Sequence, residues 1–408
     1  IEETEKFFIE RINIFGNNVT RESVIRNQIE IDEGDPFNQI LYSKSLNNIK
    51  ALNFFENVNG EVLDGNEFNS KIININVEEK ATGEIFAGVG TGTDGSSFAF
   101  GVKENNYLGR GVKLDANLKV SEERLKGKFL VSNPNYNNSD KNLDLSLEAT
   151  SVDRLGTSGY KSDVTGFSIG TQFEYLDDLR FGLSTRNTIE KIDVDATAST
   201  RQKKQEGNYF DSYLGLDFLY DKRNQNYQTT SGFYSNYNIN LPVVSDTNTL
   251  TNVYNYKVFK ELYENNVSTF SFLFKSASSL TNDDIKLSER LYIPGKKLRG
   301  FESGKIGPKD GSDYIGGNYV SSINATTTIP MILENVQNVD IVMFADAANV
   351  WGVDYDSSLD KSGIRSSIGI GIDWLTVVGP LTFSFAQPIT KEPSDIEESF
   401  RFNIGTSF

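Results

Sequence analysis

From residue 83 onward, apolar and polar residues alternate in one short segment after another. The segments "VKLDANLKV" (112–120), "LDLSLEAT" (143–150), "SIGIGIDW" (367–374) and "FRFNIGTSF" (400–408) each place apolar side chains at every second position. Residues two apart on a β-strand point to the same face, so this period indicates strands. Clusters of Gly, Asn, Asp and Ser separate the segments, and no convincing helix interrupts them. The pattern predicts a long series of β-strands.

The first 80 residues follow a different pattern. "FFIERINIFG" alternates and ends at a Gly-Asn-Asn turn, which predicts a strand. Thr20 is expected to cap a first helix in "TRESVIRNQI", and a second helix is expected from about Asn38 to Leu52. Two strands then flank the turn at Asp64-Gly65-Asn66. The predicted order is β-α-α-β-β in a small α+β domain.

Alternation alone does not say which face of the strands is buried. A soluble β-sandwich hides its apolar face, whereas an outer-membrane barrel turns that face to lipid and keeps a polar interior. The alternating region is too long for most sandwiches, its polar face is charged in strand after strand, and it ends on an aromatic residue. We therefore predict an all-β transmembrane barrel of about 16 antiparallel strands over residues 81–408, preceded by the α+β domain over residues 1–80.

Composition narrows the possible functions. The chain has 408 residues and a formal net charge of -16, which argues against nucleic acid as a partner. It contains no cysteine and no histidine, so thiolate chemistry, histidine-dependent triads and imidazole metal sites are excluded. We expect no enzyme activity, no metal and no cofactor. The acidic N-terminus is unlike a signal peptide, and we expect Ile1 to begin a piece of a longer protein.

Several ordered motifs resemble the BamA family of outer-membrane β-barrel assembly factors. Residues 10–58 resemble a POTRA domain, and its direct continuation into the strands resembles the membrane-proximal one. The barrel matches are "YDKRNQNYQTTSGFY" (220–234, without the usual proline), "LRGF" (298–301) followed by "IGP", "FADAANVW" (344–351) and the last two strands. The resemblance implies an outer-membrane protein of a Gram-negative bacterium, with its POTRA domain in the periplasm.

The resemblance also assigns a role to the motif Leu298, Arg299, Gly300 and Phe301. By composition alone, Arg299 is a solvated loop charge. The family implies instead that the sixth extracellular loop folds into the barrel, where Arg299 meets Asp346, Gly300 permits a tight turn and Phe301 packs inside. Thr326 stands where many relatives have glutamate, so we expect one acidic partner for Arg299. The loop itself is expected to be short, from Gly307-Pro308 to Gly316-Gly317.

The meeting of the first and last barrel strands is the second expected site. In the simplest interpretation, this is an ordinary seam that closes the barrel. The family implies a lateral gate, in which a first strand near Glu84–Thr91 pairs weakly with a last strand at Phe400–Phe408. Glycines in the first strand favour weak pairing. The expected gate residues are Glu84, Ile85, Phe86, Gly88 and Gly90 in the first strand and Phe400, Phe402, Ile404, Gly405 and Phe408 in the last.

The resemblance implies a protein insertase that works without a nucleotide. Its expected partners are nascent outer-membrane proteins, a periplasmic chaperone, accessory lipoproteins that dock on the POTRA domain, membrane lipids and lipopolysaccharide. The nearest alternative is a related POTRA-barrel translocase, either TamA-like or a two-partner secretion pore. The absence of histidine disfavours an outer-membrane enzyme. A passive porin is disfavoured because a loop fixed inside the barrel and a POTRA domain have no role in one.

Overall fold

The computed structural model describes residues 6–225, 229–263, 266–281, 283–329, 338–360, 362–376 and 379–405. Contacts divide the chain into two compact units. The first comprises residues 1–86, 101–116 and 129–145, and the second comprises residues 87–100, 117–128 and 146–408. Both units contain barrel strands, so they do not coincide with the predicted boundary after residue 80, which stays a prediction.

The N-terminal part of the first unit is a three-stranded sheet with two helices. Its elements are β1 (Phe8–Phe15), α1 (Glu22–Arg26), α2 (Gln39–Ala51), β2 (Phe55–Asp64) and β3 (Ser70–Glu79). The sheet order is β1-β3-β2, with β1 parallel and β2 antiparallel to β3. Ile25 and Ile49 from the helices and Ile73 and Ile75 from β3 are buried in one core. The predicted β-α-α-β-β order is confirmed.

The two helices begin differently. The second helix begins where expected, and Asn38 caps it, because the Asn38 side chain accepts hydrogen bonds from the N–H groups of Ile40 and Leu41. The predicted cap at Thr20 is wrong: Arg21 occupies the cap position of α1, and it makes no side-chain cap. The Thr20 hydroxyl instead accepts a hydrogen bond from the Asn106 amide, so a contact distant in sequence has displaced the local one.

The barrel is a closed sheet of sixteen strands, as predicted. Its first eleven strands are β4 (Gly83–Gly92), β5 (Gly95–Tyr107), β6 (Val112–Ser121), β7 (Arg124–Asn133), β8 (Leu143–Arg154), β9 (Tyr160–Leu176), β10 (Leu179–Val194), β11 (Gly207–Asp221), β12 (Gly232–Ser245), β13 (Thr249–Tyr263) and β14 (Asn266–Ser279). Three two-residue strands follow outside the wall: β15 (Gly300–Phe301), β16 (Lys309–Asp310) and β17 (Asp313–Tyr314). The wall continues with β18 (Tyr319–Ile329), β19 (Val339–Trp351), β20 (Arg365–Thr376) and β21 (Gly379–Thr390), and after the short β22 (Glu397–Glu398) it ends with β23 (Phe400–Gly405).

The two faces of the wall differ as an outer-membrane barrel requires. On β20, Ile368 and Ile370 are exposed, whereas Arg365 and Ser367 on the opposite face are buried. On β18, Asn324 is buried and Ile323 is exposed. Because neighbouring strand residues point to opposite faces, the apolar side chains face outward and the polar ones inward.

The connections between strands contain more structure than the sequence pattern predicts. Two four-residue helices, α3 (Leu155–Ser158) and α4 (Thr200–Lys203), lie where no helix was expected, and a local capping box at Ser199 stabilises α4. The sixth loop on the outer end occupies residues 280–318 between β14 and β18, so the expectation of a short loop is wrong. No helix among the described residues is long and apolar enough to cross a membrane.

Candidate functional site: a loop inside the barrel and the seam beside it

Loop six, which we define as residues 280–318, packs against the inner wall of the barrel. Leu298 and Phe301 are buried in one apolar cluster with Val320 of β18 and Val350 of β19. These wall residues share a face with the inward-pointing polar residues of the same strands. The motif that carries Arg299 therefore lies inside the barrel.

Arg299 and Asp346 form a two-pronged ion pair. The Arg299 Nε lies 2.7 Å from Asp346 Oδ2, and its Nη2 lies 2.8 Å from Oδ1. The backbone N–H of Arg299 donates to the same carboxylate at 3.1 Å, and the Asn324 amide donates at 2.9 Å. The Asp346 side chain is fully buried, whereas 18% of the Arg299 side chain is exposed. With four donors, the carboxylate has few acceptor sites left unsatisfied.

Two further side chains complete the surroundings of Arg299. Its guanidinium carbon lies 3.4 Å from the centre of the Phe344 ring, which is a cation–π arrangement. Its Nη2 lies 3.5 Å from the Thr326 hydroxyl. A hydroxyl thus faces the guanidinium from the position where many relatives were expected to supply a second carboxylate.

Gly300 fits this site for two reasons. Its φ angle is +97°, a backbone conformation that residues other than glycine rarely adopt. A Cβ atom there would also lie 3.2 Å from Ala386 Cβ and 3.3 Å from Ser367 Cβ. Gly300 and Phe301 form the short strand β15, which pairs with β22 just before the last barrel strand. The motif is therefore attached to the segment that leads into the seam.

The seam between β23 and β4 is short within the described residues. The register joins Asn403 with Gly92, Ile404 with Thr91, and Gly405 with Gly90. For comparison, the β20–β21 ladder runs without interruption from the pair Ser367 and Pro388 to the pair Thr376 and Gly379. Among the described residues, the last strand therefore supports the first only at its outer end.

The structure brings together only some of the expected gate residues. Gly90 and Gly405 are partners, and Ile404 lies opposite Thr91. Glu84, Ile85, Phe86 and Gly88 precede the paired part of β4 and have no register partner in the described part of β23.

The expected gate residues outside this pairing differ in their surroundings. The Phe86 ring lies under Lys103 Nζ at 5.0 Å, Glu84 accepts a hydrogen bond from Asn105, and Ile85 is exposed. The Phe400 ring is tilted against the Phe385 ring, with ring centres 4.7 Å apart, and the Phe402 ring stacks on Phe400 at 6.1 Å. Phe408 lies outside the described residues.

Comparison with known protein families decides which kind of barrel this is. The profile of the Omp85 superfamily domain matches residues 106–408, and the POTRA profile, described as a surface antigen variable number repeat, matches residues 7–80. The chain belongs to the Omp85 superfamily. Members of this kind are outer-membrane barrels, so the chain is an outer-membrane protein of a Gram-negative bacterium with its POTRA domain in the periplasm.

Similar proteins agree with this membership. The outer membrane protein assembly factor BamA of Neisseria meningitidis is 26% identical over 100% of this chain and 57% of its own length. BamA of Nitratidesulfovibrio vulgaris is 24% identical over 100% of this chain and 52% of its own length. The chain spans about half the length of these curated relatives.

Solved structures show the same fold. BamA of Haemophilus ducreyi lacking POTRA domains 1–3 superposes with a TM-score of 0.89 at 23% identity, covering 100% of this chain and 86% of that one. CdiB of Acinetobacter baumannii gives a TM-score of 0.60 at 11% identity over 98% of this chain and 74% of that one.

Arg401 is a site residue that the sequence did not reveal. Its guanidinium lies 2.9 Å from Asp94 in the first hairpin and 2.7 Å from Glu398 in β22. It also donates to the backbone carbonyl of Phe301 in loop six at 3.1 Å. In this Omp85 barrel a single side chain therefore joins the last strand, the first hairpin and loop six. Glu398 is only three residues away, but Asp94 and Phe301 are distant in sequence, so no local spacing could have indicated that Arg401 joins these segments.

A second buried charge anchors the beginning of loop six. Lys286 Nζ forms ion pairs with Glu190 of β10, Asp211 of β11 and Glu289 of its own loop. Burial alone would favour the neutral amine, but these carboxylates together raise the pKa of Lys286. The charged lysine therefore links loop six to strands β10 and β11 of the wall. It lies outside every motif that the sequence singled out.

Proposed function

We propose that this protein assembles outer-membrane β-barrel proteins by offering the edge of its seam to incoming strands. The observation that carries the proposal is that, within the described residues, β23 pairs with β4 only at residues 403–405 and 90–92, next to long and regular ladders elsewhere in the wall. Glycines on both strands of the seam leave little side-chain contact to hold it closed. A strand edge that opens can pair with another chain by β-augmentation.

The energy for assembly comes from the client in this proposal. A client strand that leaves water for the bilayer must satisfy its backbone hydrogen bonds, and pairing with an exposed edge does so at once. No nucleotide, catalytic residue or covalent intermediate is needed. The chemistry is the exchange of hydrogen bonds between strand edges, which is consistent with the assembly-factor names of the relatives.

Loop six has a supporting role in the proposal. Arg299 attaches the loop to β19, Lys286 attaches it to β10 and β11, and Arg401 connects it to both sides of the seam. The loop would thus set how far the seam opens while the rest of the wall stays intact. The alternative of a related POTRA-barrel translocase is disfavoured because relatives named as assembly factors match this chain over its whole length.

Partners on the periplasmic side form a separate part of the proposal. By analogy with the assembly factors, the POTRA domain would receive clients from a periplasmic chaperone and bind accessory lipoproteins. Lipopolysaccharide and phospholipid would surround the barrel. Strands β1 and β2 are the two edges of the POTRA sheet, so a client segment would pair with one of them.

A disulfide across the seam tests the proposal. Thr91 and Ile404 are register partners with exposed side chains, and the chain has no cysteine of its own. We expect oxidised T91C/I404C in liposomes to give no acceleration of client folding over protein-free liposomes, and a reductant to restore it. The readout is the fraction of client that resists SDS.

A matched lock on the opposite wall serves as the control. Leu183 and Leu216 are register partners on β10 and β11. Oxidised L183C/L216C should accelerate client folding as the unmodified protein does. The gate proposal fails if the oxidised seam variant is as active as the reduced one.

A further inference from the structure

A hollow of about 1020 Å³ lies on the outer wall of the barrel between β13 and β21. Two rows of register partners cross the six strands of this wall. The first row consists of Val258, Phe270, Ala325, Ala345, Ile368 and Gln387. The second consists of Lys260, Ser268, Thr327, Met343, Ile370 and Phe385.

The hollow results from where the small side chains fall. Ala325 and Ala345 are direct partners in the first row, and Ser268 and Thr327 are direct partners in the second. Larger exposed residues border them: Phe270, Met343, Ile368, Ile370 and Phe385. A patch of small side chains among large ones leaves a depression in an otherwise filled apolar surface.

This depression faces the membrane. Asn324 and Asp346, the neighbours of Ala325 and Ala345 along their strands, are buried on the inner side. Adjacent strand residues point to opposite faces, so the two alanines point outward. In an outer-membrane barrel the outward face contacts lipid. The depression is therefore open to acyl chains rather than to water.

The dimensions of the hollow suit one acyl chain. Five steps between neighbouring strands of about 4.8 Å give a length of roughly 24 Å. A path inclined at about 45° through half of a hydrocarbon core of roughly 30 Å is about 21 Å long. The hollow, taken across its six strands, thus matches the inclined path through one leaflet.

One end of the hollow carries a positive charge. Of the lining residues, Lys260 alone is charged, and its side chain is exposed. It lies three residues before the end of β13, beside the hairpin contact between Tyr263 and Asn266. Since the chain enters β4 from the periplasmic domain and successive strands alternate in direction, this hairpin is at the periplasmic end. An extended lysine there can reach the headgroup region of the periplasmic leaflet.

We propose that this hollow is a binding site for one phospholipid with an anionic headgroup. The acyl chain lies over Ala325 and Ala345, and Lys260 pairs with the headgroup phosphate, which in an anionic lipid has no ammonium group beside it to repel the lysine. The second row continues from Phe385 to Phe400 of the last strand, so the bound lipid ends beside the seam. The site depends on the membrane location of the barrel and not on client assembly, which allows the two proposals to fail independently.

Native mass spectrometry of the full chain in detergent tests the site with two probes of equal acyl chains, phosphatidylglycerol and phosphatidylcholine. We expect the unmodified protein to retain one phosphatidylglycerol about tenfold more than phosphatidylcholine. K260Q should bring the two lipids to near equality, because only the headgroup contact is lost. A345F fills the hollow and should reduce retention of both lipids about fivefold.

Ala149 provides a matched control, because it is an exposed residue of β8 outside the hollow. A149F adds the same bulk to a lipid-facing position and should bind both probes as the unmodified protein does. Resistance to SDS shows whether each variant is folded. If A345F does not fold, K260Q still tests the proposal, because it leaves the apolar packing intact. The proposal is overturned if the unmodified protein prefers neither lipid, or if A149F loses as much lipid as A345F.

Discussion

At the scale of single residues, the structure places its buried charges in sites that satisfy them. Asp346 accepts from two guanidinium nitrogens, one backbone N–H and one amide. A buried carboxylate without such donors would cost several kcal/mol, about the scale measured when one partner of a buried pair is removed. The Arg299 pair is therefore expected to hold the loop as long as both partners are present.

Removing either partner of this pair should destabilise the barrel. Because Asp346 is buried and Arg299 is partly exposed, we expect R299A and D346A each to lower the free energy of unfolding. The loss should lie between about 1 kcal/mol for an exposed pair and about 3–5 kcal/mol for a dehydrated one. Urea titration in micelles measures it through tryptophan fluorescence, since both tryptophans, Trp351 and Trp374, lie in barrel strands.

The same loop supplies a control for that measurement. Lys305 and Glu302 form an ion pair that is about one-third exposed on both sides. K305A should change the free energy of unfolding by less than about 1 kcal/mol. Equal effects of K305A, R299A and D346A would show that the Arg299 pair does not pin the loop.

A residue of the POTRA domain gives a prediction of pH dependence. Hydrogen bonds from Ser70, from the side chain and backbone of Asn66, and from the Glu67 backbone lower the pKa of Glu10 from 4.5 to about 2. A depressed folded-state pKa stabilises the domain above the unfolded pKa, and this stabilisation is lost as the pH falls from about 4.5 to about 2. Titration of the carboxyl carbon by NMR, with E10Q to assign the signal, should give the low value. A Glu10 pKa near 4.5 would contradict it.

At the scale of elements, the strands were predictable and the connections were not. A period of two residues is a local property, so the sixteen-strand barrel and the POTRA order follow from the pattern. Loop six was expected to run only from Gly307-Pro308 to Gly316-Gly317, yet it lies between β14 and β18, from residue 280 to residue 318. Its structure depends on wall residues distant in sequence, such as Glu190 for Lys286. The expectation that Arg299 meets Asp346 came from resemblance, because no local pattern joins positions 47 residues apart.

Arg401 is expected to control how firmly the seam is closed. R401Q removes the charge from contacts with Asp94, Glu398 and the Phe301 carbonyl. A hydrogen bond to a charged group contributes about 1.5–3 kcal/mol, so the backbone of β23 should exchange its amide hydrogens at least about tenfold faster. Hydrogen exchange of peptides from residues 400–405 measures this.

An exposed ion pair next to the same strand is the control for the exchange experiment. Lys391 pairs with Glu397 at the surface. K391Q should leave exchange in residues 400–405 unchanged, because exposed pairs contribute little. The proposed junction is wrong if R401Q and K391Q give the same exchange rates.

At the scale of the whole molecule, a wall of long hydrogen-bonded ladders lies next to a seam with little pairing in the described residues. The wall from β9 to β21 is built of long ladders, and buried ion pairs such as Arg365–Asp395 hold its outer loops. Within the described residues, the seam has only three register pairs, and glycines lie on both of its strands. We expect a barrel of this kind to open at the seam, because the ladders from β9 to β21 would require many more hydrogen bonds to break.

The most direct test of the account is whether a client strand contacts the seam while it folds. A single cysteine at Thr91 of β4 and one in the last strand of a client form a disulfide only if the two strands meet. The account predicts client adducts with T91C, and none with L216C on the opposite wall, during folding into liposomes. Client folding without adducts at T91C, or with equal adducts at both positions, would contradict it.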